Sequence, residues 1–203
     1  MLNITTRISL SRKSKKLIRK WRALHGGQFT PRAWSSINMS VKNEISTKLL
    51  DSHGPRCVYC ERDLIGLTPE MDHFAHKAVY PVFTFVTVNI FYSCGFCNSP
   101  DRKGQQNTIS TFSARYRNCV FSIVHPYFHN PDHHIVYADT DRVNYDMIAC
   151  SDLGRRTIEF FSWDDIMSTM VRSRDLTKQR LNPMTNAEER KLINECIAYR
   201  KKL

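Results

Sequence analysis

Four of the seven cysteines have the type and spacing of metal ligands. Cys57 and Cys60 form one Cys-x-x-Cys pair, Cys94 and Cys97 form a second, and 33 residues separate the pairs. Structural zinc takes four ligands in a tetrahedron, and one tight turn can present both thiolates of such a pair. We therefore predict a four-cysteine structural zinc site. The other three cysteines lack this spacing, and we predict that they are buried, unreactive thiols: Cys119, Cys150 and Cys196.

Residues able to bind metal or move protons lie between and directly after the cysteine pairs. They are Asp72-His73, Asn89 sixteen residues after the histidine, and Asn98 nine residues further on. This order, enclosed by two cysteine pairs, resembles the HNH endonuclease family in its zinc-knuckle form over about residues 57–104. The resemblance implies a ββα-metal module with the Asp-His pair on the first hairpin strand and Asn98 at the start of a helix.

The resemblance also implies phosphodiester hydrolysis and a role for each residue. Asp72 and Asn98 offer hard oxygen ligands, which favour Mg²⁺ or Mn²⁺. His73 follows Asp72 in a strand and points to the opposite face, so we predict that it is the general base, with an ordinary pKa near 6.5. Asn89 is expected to orient His73 or to brace the hairpin loop through its amide. Lys103 is expected to contact phosphate or to offset charge in the transition state.

Each of these residues also has a structural interpretation. A single histidine is more often a structural residue, Asn98 could cap a helix, and Asn89 could be a turn residue. Glu70 is either an accessory acid or an exposed surface residue. Lys77 matches the lysine of a Pro-Lys pair in related sequences, but His76 replaces the proline, and we do not count His76 as a ligand.

The basic charge is concentrated near the N-terminus. The net charge is 30 − 19 = +11, and residues 1–50 hold eleven Lys or Arg against Glu44 alone, which gives +10. This asymmetry indicates a polyanionic partner, nucleic acid in the first place and an acidic protein as the alternative. The predicted nucleic-acid contacts are Arg12, Lys15, Lys16, Arg19, Lys77 and Lys103.

Apolar spacing predicts the elements that must position these residues. A basic helix is expected over 11–25 and a second over 34–50, ending before the first cysteine pair. Residues 68–97 are typical of strands and loops, and a helix is expected from Asn98 onward. The remaining elements are short strands within 119–137 and 155–161 and two helices opening at Ser162 and Thr185.

The sequence therefore predicts an α+β protein in three parts. Residues 1–54 form a basic helical arm, residues 55–118 form the ββα-metal (HNH) core with its zinc knuckles, and residues 119–203 form an α+β or helical extension. No stretch approaches the roughly 20 apolar residues of a membrane-spanning helix. No secretion signal is recognisable, so we expect a cytoplasmic protein without a membrane partner.

Segments outside the core resemble a narrower group. Residues 125–135 and 157–161, with the Asp-His-Phe and Tyr-Ser-Cys-x-x-Cys-Asn arrangements, are similar to PtuB-type HNH proteins, bacterial anti-phage effectors of Septu and retron systems. This resemblance implies an ABC-type ATPase partner, PtuA, and in retron versions a reverse transcriptase and its msDNA. The histidines of 125–134 form either a packed loop, the favoured interpretation, or a second metal site.

These observations lead to three hypotheses about function. The leading hypothesis is a metal-dependent HNH nuclease that acts as the cleaving subunit of a defence complex. A non-catalytic zinc ribbon that binds nucleic acid or a protein partner is the first alternative. A homing or restriction endonuclease that acts alone is the second.

Overall fold

Three helices form the N-terminal part of the computed structural model, which describes residues 1–138, 146–166, 168–170 and 173. They are α1 (Arg12–Leu24), α2 (Ala33–Ser36) and α3 (Met39–His53). The predicted single helix over 34–50 is wrong, because Ile37 is extended and the Asn38 side chain accepts a hydrogen bond from Ser40 N. That cap starts a new helix. The α3 helix buries an apolar stripe and ends at Gly54, whose φ of 70° suits glycine.

An antiparallel hairpin carries the Asp-His pair. Strand β1 (Glu70–His73) pairs with β2 (Ile90–Ser93), and Asp72 lies opposite Phe91. Between the strands the chain forms two short 3₁₀ turns, at Pro81–Phe83 and Thr87–Asn89. Every residue of β2 is buried, which places this hairpin in the interior of the protein.

The helix expected from Asn98 onward is absent. Residues 95–105 form successive turns instead, held by hydrogen bonds from Asn98 N to Cys94 O and from Lys103 N to Cys97 O. Pro100 lacks an N–H, and Gly104 has a φ of 38° and approaches so closely that a Cβ would lie 3.0 Å from Pro100 Cα. The structure therefore has the predicted hairpin, but turns stand where the helix was expected.

Two small hairpins and a helix follow. Strand β3 (Ile109–Thr111) pairs with β4 (Val120–Phe121), β5 (Ile135–Tyr137) pairs with β6 (Met147–Ala149), and α4 spans Asp152–Phe161. The strand predicted within 155–161 is wrong, because the Ser151 hydroxyl caps a helix there. Helix α4 lies so close to β5 that a Cβ on Gly154 would stand 1.9 Å from His134 O.

The helix predicted to open at Ser162 begins later. Ser162 ends α4 in a left-handed conformation, and the carboxylate of Asp165 accepts from Ser168 N at the start of the next helical residues. Asp165 also receives a hydrogen bond from Arg102, which ties this turn to the segment after the second cysteine pair. The helix predicted at Thr185 and Cys196 lie outside the described residues.

One apolar core joins the N-terminal helices, the central hairpin and α4. Its fully buried members come from all three predicted parts of the chain, among them Ile45, Phe74, Phe91, Phe161 and Trp163. The protein is α+β, with mixed helices and small antiparallel sheets. No helix in the described ranges combines the length and apolar character needed to cross a bilayer.

Candidate metal and catalytic site

The two cysteine pairs converge on one point. The sulfurs of Cys57, Cys60, Cys94 and Cys97 all lie within 4.8 Å of one another, and Cys60 Sγ is 3.7 Å from Cys94 Sγ. A tetrahedron with zinc–sulfur bonds of about 2.3 Å has sulfur–sulfur edges of about 3.8 Å. The backbone N–H of Cys97 also points at Cys94 Sγ, at 3.4 Å. This geometry fits a structural metal ion such as zinc.

The protonation of these thiols also fits a soft divalent ion. Hydrogen bonds within the cluster lower the pKa of the Cys94 thiol and raise the pKa of the Cys60 and Cys97 thiols. Without a metal, four sulfurs this close must share protons to avoid like-charge repulsion. A zinc ion removes that conflict, because it takes four thiolates and releases their protons. Of the other cysteines, Cys119 is buried as predicted, whereas Cys150 is exposed, contrary to prediction.

Asp72 is buried and both its carboxylate oxygens have partners. Lys103 Nζ donates to Asp72 Oδ1 at 2.9 Å and to the carbonyl of His73 at 2.8 Å, and the Tyr59 hydroxyl donates to Asp72 Oδ2. The Lys103 side chain is 0% exposed. Burial and the adjacent carboxylate raise the pKa of Tyr59, so it remains a donor. The expectation that Lys103 contacts phosphate is therefore not met, since its ammonium neutralises Asp72 in the interior.

His73 lies on the other side of β1, as the alternation of a strand requires. Its Nε2 is 3.0 Å from the carbonyl of Thr84, and its ring meets Trp34 edge-on with centroids 4.7 Å apart. A carbonyl only accepts, so Nε2 carries the proton and Nδ1 carries the lone pair. Nδ1 is buried without a hydrogen-bond partner among the described residues. Burial, with a contribution from Lys77, lowers the pKa of His73 to about 3, so the ring is neutral and the expected ordinary pKa near 6.5 does not hold in this buried position.

Asn89 braces the hairpin loop and makes no hydrogen bond to His73 among the described residues. Its Oδ1 accepts from Ala75 N at 2.7 Å, and its Nδ2 donates to the carbonyls of Ala75 and Phe83, both at 3.1 Å. Asn89 was expected either to orient His73 or to brace the hairpin loop, and the structure shows the bracing role. Because Phe83 precedes Thr84, Asn89 also fixes the segment whose carbonyl holds the His73 ring.

A buried hydrogen-bond relay reaches Asn89 from the C-terminal part. His125 Nδ1 accepts from Tyr127 N at 3.0 Å, so Nε2 holds the proton and donates to the Tyr116 hydroxyl, also at 3.0 Å. Tyr116 in turn donates to Asn89 Oδ1 at 2.8 Å. Burial lowers the pKa of His125 well below its ordinary value, which keeps the ring neutral. The alternative of a second metal site in 125–134 fails, because no other described His, Cys, Asp and Glu side chains converge as the four cysteines do.

Asn98 pairs with Glu70 rather than with Asp72. Its Nδ2 donates to Glu70 Oε2 at 2.6 Å near the surface, and Glu70 and Asp72 share one face of β1. The predicted pair of Mg²⁺ or Mn²⁺ ligands therefore has separate partners. A divalent ion would also meet the ammonium of Lys103 at Asp72. The arrangement does not fit an ion held jointly by Asp72 and Asn98.

The remaining predicted nucleic-acid contacts lie where solvent reaches them. Lys77 is half-buried in the turn after β1, and burial lowers its pKa. Four others are exposed on α1: Arg12, Lys15, Lys16 and Arg19. Three residues of the site are not predicted from the sequence: Tyr59, Tyr116 and Trp34. Tyr59 stands inside the first cysteine pair, which was a signal of proximity to the site, whereas nothing in the local sequence marks the other two.

Comparisons with known proteins are limited to part of the chain. No protein-family model matches it. The chain is similar to Protein ea31 of Escherichia phage lambda, with 34% identity over 79 residues. These residues make up 39% of this chain and 23% of the phage protein, so the similarity spans less than a quarter of that relative's length.

Proposed function

We propose that this protein is an HNH-type nuclease that hydrolyses phosphodiester bonds with His73 as general base. The single observation that carries the proposal is the state of His73 at the end of β1. Its tautomer is set by the Thr84 carbonyl, and its unpartnered Nδ1 holds a lone pair able to accept a proton. A neutral imidazole with one nitrogen anchored suits a general base. Because burial is what lowers the pKa of His73 to about 3, opening of the site to water and substrate would return it toward the ordinary value near 6.5 that the step needs.

The reaction that this residue supports is in-line attack of water on phosphorus. As the water oxygen bonds to phosphorus, its proton passes to His73 Nδ1, and the bond from phosphorus to the 3′ oxygen breaks. The products are a 5′-phosphate and a 3′-hydroxyl, whose proton comes from solvent. Trp34 packs edge-on against the His73 ring, and His73 is only 1% exposed, so water and substrate reach Nδ1 only when Trp34 or another neighbouring side chain moves aside.

The four-cysteine site and Asn89 support this chemistry without taking part in the reaction. The four-cysteine site holds both ends of the segment that contains the hairpin. Asn89 holds the turn from which Thr84 anchors the imidazole. By the resemblance to PtuB-type proteins, the proposal extends to an anti-phage effector role beside an ABC-type ATPase, with a reverse transcriptase and msDNA in a retron.

A nuclease assay tests the catalytic role. The chain, alone and with the ATPase, is incubated with plasmid DNA and with total RNA, each without added metal, with Mg²⁺ and with Mn²⁺. General-base catalysis contributes about 10²–10⁴-fold, so His73→Ala should lower the cleavage rate by at least about 100-fold. His133→Ala is the matched control, because His133 is exposed and bonds only Asn130 among described residues. Equal cleavage by His73→Ala and the parent contradicts the proposal.

Two observations favour a second candidate, a zinc-stabilised module that binds nucleic acid without cutting it. Lys103 neutralises Asp72, and His73 is only 1% exposed. Both are also what a purely structural pair would show. Under this alternative, neither the isolated chain nor its complex with the ATPase cleaves DNA or RNA under any metal condition, while binding to nucleic acid persists.

A further inference from the structure

A groove of about 720 Å³ runs between helix α1 and the loop that precedes β2. One wall is formed by Lys15, Ile18 and Arg19, which lie on one face of α1 because they are three and four residues apart. The opposite side is formed by the loop around residues 82–87 and by Arg7, whose Nε is 3.5 Å from Thr87 Oγ1. Its volume lies within the roughly 300–1,000 Å³ typical of ligand sites.

The groove is positively charged. Arg7, Lys15 and Arg19 line it, and none of the described lining residues is acidic. Within the described part of the chain, none of these three side chains forms an ion pair. Glu44, the one acid of residues 1–50, accepts hydrogen bonds from Ser11 and Ser14 instead. The three cations are therefore available to a polyanion.

Aromatic side chains form part of the groove lining. Phe29 and Phe85 meet edge to face with ring centroids 5.2 Å apart, and both are half-buried. Trp21 stacks on Phe29 with centroids 6.0 Å apart and Arg22 lies 5.8 Å from its ring centre, so a base at Phe29 would extend a cluster that already holds an aromatic ring and a cation. Basic grooves lined by aromatic rings are typical of single-strand binding, in which bases stack on the rings and phosphates contact the cations. A duplex conceals the faces of its bases, so only an unpaired strand can use both features of this groove.

The groove adjoins the proposed catalytic histidine. Phe85 follows Thr84, whose carbonyl anchors the His73 ring. Trp34 contacts both sides, with centroid distances of 6.0 Å to Phe85 and 4.7 Å to His73. A strand in the groove would therefore lie beside the tryptophan that packs against this histidine.

We infer that this groove binds an unpaired segment of nucleic acid, with phosphates on Arg7, Lys15 and Arg19 and bases against Phe29 and Phe85. The inference deepens the proposed nuclease function and rests on it for the role of that segment as substrate. It names the class of nucleic acid as single-stranded DNA or RNA, which share the chemistry that the groove reads.

Binding is measured with the zinc-loaded full chain carrying His73→Ala, without added Mg²⁺ or Mn²⁺. Fluorescence anisotropy follows a labelled 12-nucleotide DNA, the same sequence as RNA, and the corresponding DNA duplex. We expect either unpaired oligonucleotide to bind at least tenfold more tightly than the duplex, and the comparison of DNA with RNA shows which of the two the groove prefers. Duplex binding as tight as single-strand binding overturns the inference.

Charge reversal on α1 locates the site. The pair Lys15→Glu and Arg19→Glu should weaken single-strand binding at least tenfold. The matched pair Lys13→Glu and Lys20→Glu changes the same charge on exposed residues of the same helix outside the groove, and should cost less than threefold. Equal losses for the two pairs mean general attraction to the arm and overturn the groove as the site.

Loss of an aromatic ring tests the stacking. Phe29→Leu should weaken single-strand binding about 5- to 100-fold, in line with stacking of one base. It should leave the affinity for dextran sulfate, a polyanion without bases, unchanged. Phe112→Leu is the control, since Phe112 is exposed and lies outside the groove. An equal effect of Phe29→Leu on both ligands overturns the stacking, and unfolding curves verify that each variant is folded.

The outcomes separate this inference from the nuclease proposal. If binding depends on the groove but the protein never cleaves nucleic acid, the groove is supported as a binding site and the nuclease proposal is refuted. In the opposite case, the Lys15→Glu and Arg19→Glu pair leaves cleavage unchanged and both charge-reversal pairs weaken binding equally. That result supports the nuclease proposal and refutes the groove as the binding site.

Discussion

The contact between Lys103 and Asp72 sets the electrostatics of the central hairpin. Both side chains are buried, and the ammonium also satisfies the carbonyl of His73. An ion pair removed from water stabilises a fold only while both partners are present, because each charge alone carries a large desolvation cost. The pair therefore fixes β1 to the turns of residues 95–105.

Removing one charge of this pair should be costly. Lys103→Met leaves the Asp72 carboxylate buried without its cation, and we expect a loss of about 3–5 kcal/mol in the free energy of unfolding. Urea denaturation measures it. Arg155→Met, which breaks only exposed ion pairs to Asp152 and Glu159, should cost no more than about 1 kcal/mol. Similar losses in the two variants contradict the structural role of Lys103.

Removing the Tyr116 hydroxyl should lower the free energy of unfolding. In Tyr116→Phe the buried His125 Nε2–H loses its acceptor and Asn89 loses a donor, so we expect a loss of about 1–3 kcal/mol in unfolding free energy. Tyr80→Phe removes a hydroxyl whose bond to Asn107 is exposed. Its smaller cost, measured in the same denaturant, serves as the control. Equal costs would show that the relay does not stabilise the loop.

At the scale of single residues, the sequence predicts which residues belong to the site more accurately than it predicts their bonding partners. The cysteine spacing predicted the zinc site because two residues between ligands is a local geometric constraint. Asn98 and Asp72 were predicted to share an ion, yet they bond Glu70 and Lys103. Those partners depend on how residues 95–105 turn after the strand, which no local pattern specifies.

Elements were predictable where apolar spacing or capping is local. Helix α1 matches the basic helix expected over 11–25, and α3 ends before the first cysteine pair, as expected. The apolar spacing continues across Asn38, so it does not show the break there. The β-branched and aromatic residues of 155–161 suit a strand, but they equally suit a helix that buries Thr157, Ile158 and Phe161. Tertiary packing decided both cases.

Zinc should hold the central hairpin together as an element. Cys60→Ser removes one of the four converging sulfurs, and we expect a lower melting temperature, lower solubility and less than one zinc per chain by elemental analysis. Cys150→Ser, an exposed thiol outside the cluster, should retain the parent melting temperature and one zinc per chain. Full stability of zinc-free protein would contradict the structural role of the metal.

The whole molecule keeps several histidines neutral in its interior, which makes its stability depend on pH. Burial lowers the pKa of His53 to about 4, whereas in the unfolded chain it is near 6.5. Between pH 4 and pH 6.5 the unfolded chain binds more protons than the folded protein. The stability that the neutral His53 contributes is therefore fully present above pH 6.5 and is lost as the pH falls through 4. His125, deeper in the core, acts in the same direction.

Replacing His53 should reduce this dependence. His53→Phe keeps the aromatic contact with Tyr92 and removes the proton-binding site. Between pH 7.5 and pH 5, the variant should lose about 2 kcal/mol less unfolding free energy than the parent. Urea denaturation at both values gives the difference, and the exposed His133→Gln serves as control. Identical pH dependence in His53→Phe and the parent contradicts the prediction.

The cysteine cluster makes a closed ring of the chain segment between its two halves. The turn around Ile65 and Leu67 lies inside this ring and is exposed, so a protease can cut there. Cleavage would separate Cys57 and Cys60 covalently from Cys94 and Cys97, yet the shared metal ion would still join the two fragments. A nicked protein should therefore migrate as one species under native conditions and come apart far more readily once a chelator removes the ion.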